Sequence, residues 1–299
     1  RSLGYNPFTI VYASFGSAVV GSAFSPSNPF GVIIAQKEAE LELMSGSHFR
    51  LIVLIIVATV WIMYVVNYAG KHRVEKAKET IKAASLSARN KIILLLLVVT
   101  FGGVTYGLLN AGWGFNEMSA CFFGLGIASG LIGKLGLNKT TENYIDGFKE
   151  MIFAAMIVGL ANSISLILKE GMIIDTIVYG LFGPLKHLPP GVSAVLMMIS
   201  HSILHFPIPS YSGQAILPMR ILTPLAELIG LSRQVCVLSY QYGAIMMDAI
   251  IPTNGALMAI LAISGITYNK WLKFILKPAL LLLAISAIAI LIAVQIGYN

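Results

Sequence analysis

The sequence predicts an all-α polytopic membrane protein with two discontinuous transmembrane helices and a re-entrant helical hairpin, and three observations predict it. Of 299 residues, 57% are hydrophobic and only 11% charged, with a mean hydropathy of +0.83, whereas a soluble domain carries roughly 25% charged residues. Two apolar helical runs are each interrupted by a Pro-hydroxyl-Asn turn, Ser25-Pro26-Ser27-Asn28-Pro29 and Ile251-Pro252-Thr253-Asn254-Gly255. Two further apolar runs, each too short to cross a bilayer, flank the polar tip Pro207-Ile208-Pro209-Ser210-Tyr211-Ser212-Gly213-Gln214. In a membrane a broken backbone is tolerated only where protein buries it or where it lines a polar cavity.

The formal charge of +7 is no nucleic-acid footprint. It is concentrated in a few loops, most densely from Lys71-His72-Arg73 to Lys91, where it acts as a topology signal. Cys121 and Cys236 sit in unrelated apolar segments, so neither a disulfide framework nor a metal cluster is expected. Residue 1 is Arg, with no basic leader and cleavage site after it. The expectation is a chain that begins partway through a larger protein.

The N-terminal division, 1–70, pairs a broken span with a full one. Phe8 to Phe24 is apolar and rich in Gly and Ser, which suits close helix approach. Pro26 stops it short of the about 20 residues a span needs. After Pro29 a helix is expected to restart at Phe30 and to reach water by Lys37-Glu38, and Leu51 to Tyr68 is uninterrupted. The basic segment 71–91 is a solvated cytoplasmic connector by the positive-inside rule.

The second division is 92–299. Ile92 to Asn110 crosses back, Trp113 and Gly114 turn outside, and Met118 to Leu137 returns. Asn138 to Lys149 is polar enough to lie along the inner interface, and Ile152 to Leu168 crosses outward. Asp175 to His187 is a short amphipathic piece closed by Pro189-Pro190. The hairpin, 191–230, has arms Val192–Phe206 and Ala215–Ile229. The second broken span covers 231–266, an inner basic loop carries Asn269, Lys270, Lys273 and Lys277, and the last span is 278–297. With the 71–91 loop inside, the basic loops at 134–149 and 270–277 fall inside too. Lys37, Arg50, Lys169, Lys186 and Arg233 are then scattered over the outer side, with Glu227 and Arg233 at the outer interface, and Trp residues near span ends read as anchors.

Two breaks in corresponding positions of two halves point to a transporter binding site. Helices restarting at Phe30, Gln214 and Gly255 would aim unpaired N–H groups and a partial positive charge at the breaks, which suits a carboxylate. Ser27, Asn28, Ser210, Ser212, Gly213, Gln214, Thr253 and Asn254 are therefore the substrate-binding candidates, through backbone N–H, hydroxyl and amide groups. Carbonyls freed at Ser25 and Ile251, with Ser210 and Asn254, are candidates for a coupling cation such as Na⁺. The same residue types also serve as ordinary helix caps. Asp248 is an intramembrane carboxylate, and Arg220 is its expected charge partner. His201 and His205, at i and i+4, are proton-sensing candidates; the intervening Ser202-Ile203-Leu204 lacks the Glu of a zinc-protease helix, so no metal site is expected. An intramembrane hydrolase using Ser210 or Ser212 with those histidines is the enzyme alternative, without a Gly-x-Ser-x-Gly elbow to support it. A purely structural membrane subunit is the other. No Walker-type phosphate loop is present, so the expectation is a secondary transporter with no cofactor beyond Na⁺ or H⁺.

If the two halves are inverted repeats, a hairpin like 191–230 should precede Arg1. The motifs Pro209-Ser210-Tyr211-Ser212-Gly213-Gln214-Ala215, Leu231-Ser232-Arg233-Gln234, Ile251-Pro252-Thr253-Asn254-Gly255 and Ser25-Pro26-Ser27-Asn28-Pro29-Phe30 resemble the YfcC family. These are DcuC-related C4-dicarboxylate carriers of the ion transporter superfamily, some of them assigned as basic amino acid antiporters. The resemblance spans essentially the whole chain, as the C-terminal two-thirds of such a carrier. It implies an inverted-repeat fold, two hairpin tips meeting two broken spans, and elevator-type alternating access with a coupling cation. A small carboxylate or amino acid substrate, the lipid bilayer and a second copy in a homodimer are the expected partners, in the inner membrane of a bacterium. Arg220 and Asp248 depart from the apolar or small residues the family pattern leads one to expect, which leaves open a basic amino acid exchanger in which Asp248 meets the cationic group.

Overall fold

The computed structural model describes residues 4–74 and 87–299, and among them every regular element is a helix. Residues 4–74 with 153–299 form one compact unit and residues 87–152 another. The middle of the basic connector, residues 75–86, lies outside the described residues.

In the larger unit, α1 (Pro7–Val11) runs through a π-helical turn, Tyr12–Gly16, into α2 (Ser17–Phe24). Asn6 opens it by accepting the Thr9 amide on its side chain, and Pro7 occupies the first turn, where a missing N–H costs nothing. Ser25 then turns extended (φ −61°, ψ 131°), as a residue before proline must. The chain restarts as α3 (Val32–Glu38), two residues later than Phe30, because Asn28 spends its side chain on the Phe30 and Gly31 amides. A full-length helix follows, α4 (Ser47–Lys71).

In the smaller unit, α5 (Ala88–Asn110) packs on α6 (Phe115–Ile132). The Gly114 amide donates to the Glu117 carboxylate at 2.8 Å to start α6. Gly126 and Gly130 lie against Tyr144 and Thr140 of α7 (Gly136–Glu170), an approach only small residues permit. That helix corrects an expectation. The polar stretch 138–149 is not a separate interfacial piece; it is the first third of a continuous 35-residue helix. Its Asn, Thr, Glu and Lys residues contain no Pro or Gly stop before Gly147, so polarity alone does not end a helix.

Back in the larger unit come α8 (Ile174–Phe182), a 3₁₀ turn at Gly183–His187, and α9 (Pro190–Leu204). Then follow α10 (Tyr211–Leu228), α11 (Arg233–Ala244), a 3₁₀ turn at Ile245–Ala249, α12 (Gly255–Ser264) and α13 (Tyr268–Gln295). The arms α9 and α10 both seat on α11, and α10 also packs on α3. A Cβ at Gly243 would run into the Met198 carbonyl, so glycine sets the close approach of α11 to α9. The expected basic loop at 269–277 is instead the first turns of α13, which carries Pro278 in its interior. The missing N–H of a proline bends or weakens a helix, but the buried ring is held by packing here. Among the described residues, four helical stretches are long and apolar enough to cross a membrane: Pro7–Phe24, Ser47–Lys71, Ala88–Gly107 and Tyr268–Gln295.

Candidate functional site

Both turns foreseen from the sequence are real breaks, and the first question is where their freed backbone groups go. At the first break, Asn28 Nδ2 donates to the Ser22 carbonyl at 3.0 Å, and its Oδ1 accepts the Phe30 and Gly31 amides at 3.0 and 3.1 Å. The Ser25 carbonyl takes Gln241 Nε2 of α11 at 2.9 Å. Ser27 is exposed and donates its amide to Ser25 Oγ at 3.2 Å. Gly31 is held against Ile245, whose Cδ1 would lie 2.7 Å from a Cβ there.

At the second break, α13 supplies the donors. Trp271 Nε1 reaches the Ala249 carbonyl at 2.9 Å, and the Tyr268 hydroxyl reaches that of Ile250 at 2.7 Å. Trp271 is thus fully buried, not an interfacial anchor. Trp61 is buried likewise, donating to Ser17 Oγ at 3.0 Å. The Ile251 carbonyl accepts the Asn254 amide at 3.3 Å, and Asn254 Oδ1 caps α12 through the Leu257 amide at 2.9 Å.

The hairpin tip sits beside this second break. Thr253 Oγ1 donates to the Phe206 carbonyl at 3.0 Å, and Tyr240 of α11 donates to the Tyr211 carbonyl at 2.7 Å. Ser210 Oγ caps α10 through the Gly213 amide at 3.3 Å, so that helix starts at Tyr211, three residues before the expected Gln214. Ser210 and Asn254 therefore act as helix caps, the plainer of the two roles foreseen for them, while Asn28 closes the turn that precedes α3. Ser210 and Gly213 are exposed at the tip, while Ser212, Thr253 and Asn254 are half-buried beside it.

Behind the tip lies a chain of buried polar side chains. His205 is fully buried and bonds Gln214 Oε1 through Nδ1, and its Nε2 stands 2.9 Å from Asp248 Oδ1. The second oxygen of Asp248 accepts the Tyr211 hydroxyl. Gln214 Nε2 donates to the His201 carbonyl at 2.7 Å. His201 packs its ring between Phe182 and Tyr240. The expected Arg220–Asp248 pair does not form. Arg220 points outward and bonds Glu38 at 2.9 Å, because its place on α10 faces α3 and not the tip. Both ring nitrogens of His205 are committed to Gln214 and Asp248, so His205 is not placed to activate Ser210 or Ser212, and the His201 ring is buried between Phe182 and Tyr240. Among the described residues no group of three His, Cys, Asp or Glu side chains could hold a metal ion.

Arg50 is the residue that sequence reasoning missed, having placed it among scattered outer charges. It is 0% exposed, and its guanidinium donates to Gln241 Oε1 at 3.1 Å, Gln234 Oε1 at 2.8 Å and the Ser45 carbonyl at 2.8 Å, with Tyr298 beneath it. All three acceptors are neutral. The only available signal was the pair of glutamines at 234 and 241, seven apart on one face of an otherwise apolar helix. Arg233, by contrast, bridges Glu227 and Glu40 at the surface, as an interfacial residue should.

The fold resembles the YdaH transporter of Alcanivorax borkumensis, with a TM-score of 0.55 and 12% identity over 99% of this chain and 71% of that one. In sequence, the chain is 31% identical over 313 residues to an uncharacterized protein of Haemophilus influenzae, covering 61% of its length. It is 28% identical over 322 residues to YfcC of Escherichia coli (strain K12), covering 64% of that protein. The chain therefore spans less than two-thirds of the length of these relatives. A profile of the C4-dicarboxylate anaerobic carrier family, DcuC, matches residues 2–295, and this chain, a multi-pass membrane protein of transporter fold and not an enzyme, belongs to that family.

Proposed function

We propose that the chain forms the translocation core of a secondary transporter that moves a small carboxylate-bearing solute, a C4-dicarboxylate or an amino acid, across the inner membrane of a bacterium. Na⁺ or H⁺ drives it, access alternates by an elevator-type movement, and two copies work as a homodimer. The observation that carries the reading is the apposition of the hairpin tip and the second break, joined by Thr253 to Phe206. Hydroxyl, amide and backbone N–H groups of Ser210, Ser212, Gly213, Thr253 and Asn254 gather at that place, at the starts of α10 and α12. Such donors suit a carboxylate. Ser27 and Asn28 are the corresponding groups of the first break, and the oxygens of Ser25, Ser210, Ile251 and Asn254 are the candidates for Na⁺.

The second reading, a basic amino acid exchanger, draws on the name of the E. coli relative, which is provisionally that of a basic amino acid antiporter. It needs Asp248 for the cationic group. His205 and Tyr211 already occupy both carboxylate oxygens, which favours the carboxylate reading. Protein reconstituted in liposomes is expected to take up labelled succinate or another organic acid along a Na⁺ or H⁺ gradient. Absence of flux across a broad panel of organic and amino acids would sink the proposal. Uptake of arginine alone would favour the exchanger.

A further inference from the structure

We propose that the His205–Asp248 contact is the binding site of the coupling proton, and that it latches the end of the first hairpin arm to the turn before the second break only while that proton is bound. The inference rests on the transporter reading above and deepens it by naming the driving ion.

The argument is a count of hydrogens. Gln214 is oriented by its amide nitrogen, which donates to the His201 carbonyl at 2.7 Å; its Oε1 is therefore the atom that faces His205. An amide oxygen only accepts, so His205 Nδ1 must carry a hydrogen. The Tyr211 hydroxyl donates to Asp248 Oδ2. What remains is the 2.9 Å contact between His205 Nε2 and Asp248 Oδ1. One further hydrogen makes it a bond, whether drawn as imidazolium and carboxylate or as imidazole and carboxylic acid. The pair is then neutral overall. Removing that hydrogen leaves a ring lone pair facing a carboxylate oxygen at hydrogen-bond distance. Two acceptors repel there, and a net negative charge is stranded on a residue only 7% exposed. The contact must open. Tyr211 keeps its bond to Asp248 in either state, so the proton governs the His205 side alone.

The position of this contact is what makes it a latch. His205 ends the first hairpin arm, and Asp248 sits in the 3₁₀ turn just before the second break. Proton loss thus frees the end of the first arm from that turn, while the Tyr211–Asp248 and Thr253–Phe206 bonds still hold the tip beside the break. The other titratable groups facing the pair are His201 of α9, Tyr211 of α10 and Tyr240 of α11. Tyr240 is committed to the Tyr211 carbonyl, and the two nearby arginines are engaged elsewhere, Arg220 with Glu38 and Arg50 with the glutamines.

Asp248→Asn is the informative variant. Its amide N–H₂ can donate to a neutral His205 Nε2 while its oxygen still accepts from Tyr211, so the latch stays shut with no proton to exchange. Trp271 reports on the site, since its indole N–H binds the carbonyl of Ala249, the neighbour of Asp248. Tryptophan emission of the purified protein, followed through a pH titration, is expected to show a sigmoidal change. Asp248→Asn and, separately, His205→Gln should abolish it. A titration unchanged in both variants, or none in the unmodified protein, overturns the proposal. In liposomes, accumulation of succinate or arginine driven by a pH gradient should be lost in Asp248→Asn, and any remaining exchange should no longer vary with pH. Accumulation that follows Na⁺ alone, or that survives in the variant, also overturns it. If the unmodified protein moves no solute of the broad organic and amino acid panel, the transporter reading fails, and the emission titration still decides the latch.

Discussion

The two breaks share a motif and differ in what stands behind them. At both, an asparagine side chain accepts backbone amides where the chain turns back into helix. The first break is backed by Gln241, which joins the Ser25 carbonyl to the buried guanidinium of Arg50. The second is backed by the His205–Asp248 pair. A guanidinium stays charged at any physiological pH, whereas an imidazole–carboxylate pair can gain or lose a proton there. One break is therefore set beside a permanent charge and the other beside a switchable one. Similar turns in sequence need not carry similar work.

That contrast can be broken in several ways. Arg50→Ala should have the largest effect, because it orphans Gln234 Oε1 and Gln241 Oε1, each costing about 1–3 kcal/mol when buried without a partner, whereas the Ser45 carbonyl keeps its bond from Gln36. Thermal unfolding in detergent should show a loss of about 2 kcal/mol or more on that arithmetic, equal at low and neutral pH. Arg50→Lys should recover only part of it, since an ammonium cannot serve three separated acceptors as a planar fork does. A loss that varies with pH would put a titrating group behind the first break as well.

Gly243→Ala should come next. It drives a methyl into the Met198 carbonyl, and overpacking of this kind costs about 1–3 kcal/mol. Its effect should centre on the seat of the first arm and spare the first break, which hydrogen-exchange protection can separate. Asn28→Ala should cost about 2 kcal/mol and Asn254→Ala about 1. Asn28 makes three bonds across its break where Asn254 makes one cap. Equal losses would mean that the two breaks are held alike. Thr253→Val should be the mildest, about 1 kcal/mol for one lost bond, with faster amide exchange at Ile208 and Ser210 and no change around Asn28.

Much of this was legible in the sequence. Pro26 and Pro252 announce the breaks because a proline disfavours helix at the residue before it, and Ser210 with Gly213 marks the tip. The Asp248 and His205 side chains stood out as titratable groups in apolar surroundings. Their pairing did not, since it depends on a tip and a 3₁₀ turn 43 residues apart meeting in space. Arg220 was misassigned for the same reason: spacing gives the face of a helix but not which neighbour that face meets. Arg50 escaped because one arginine at the start of an apolar helix looks like a boundary charge. Only the fold shows the glutamines that enclose it. The start of α13 was missed because Asn269, Lys270, Lys273 and Lys277 read as a solvated loop, when lysine is a good helix former and can extend a span into its flank.

Arg50 also has a consequence for how the chain is made. Its side-chain partners Gln234 and Gln241 lie 184 and 191 residues further along. At synthesis rates of about 5–20 residues per second, the first of them emerges on the order of 10–40 s after the arginine. Through that interval α4 carries a charge whose only partner of the three is the neighbouring Ser45 carbonyl. The helix therefore settles only when α11 arrives, and the order of translation makes the late broken span the chaperone of an early full-length helix.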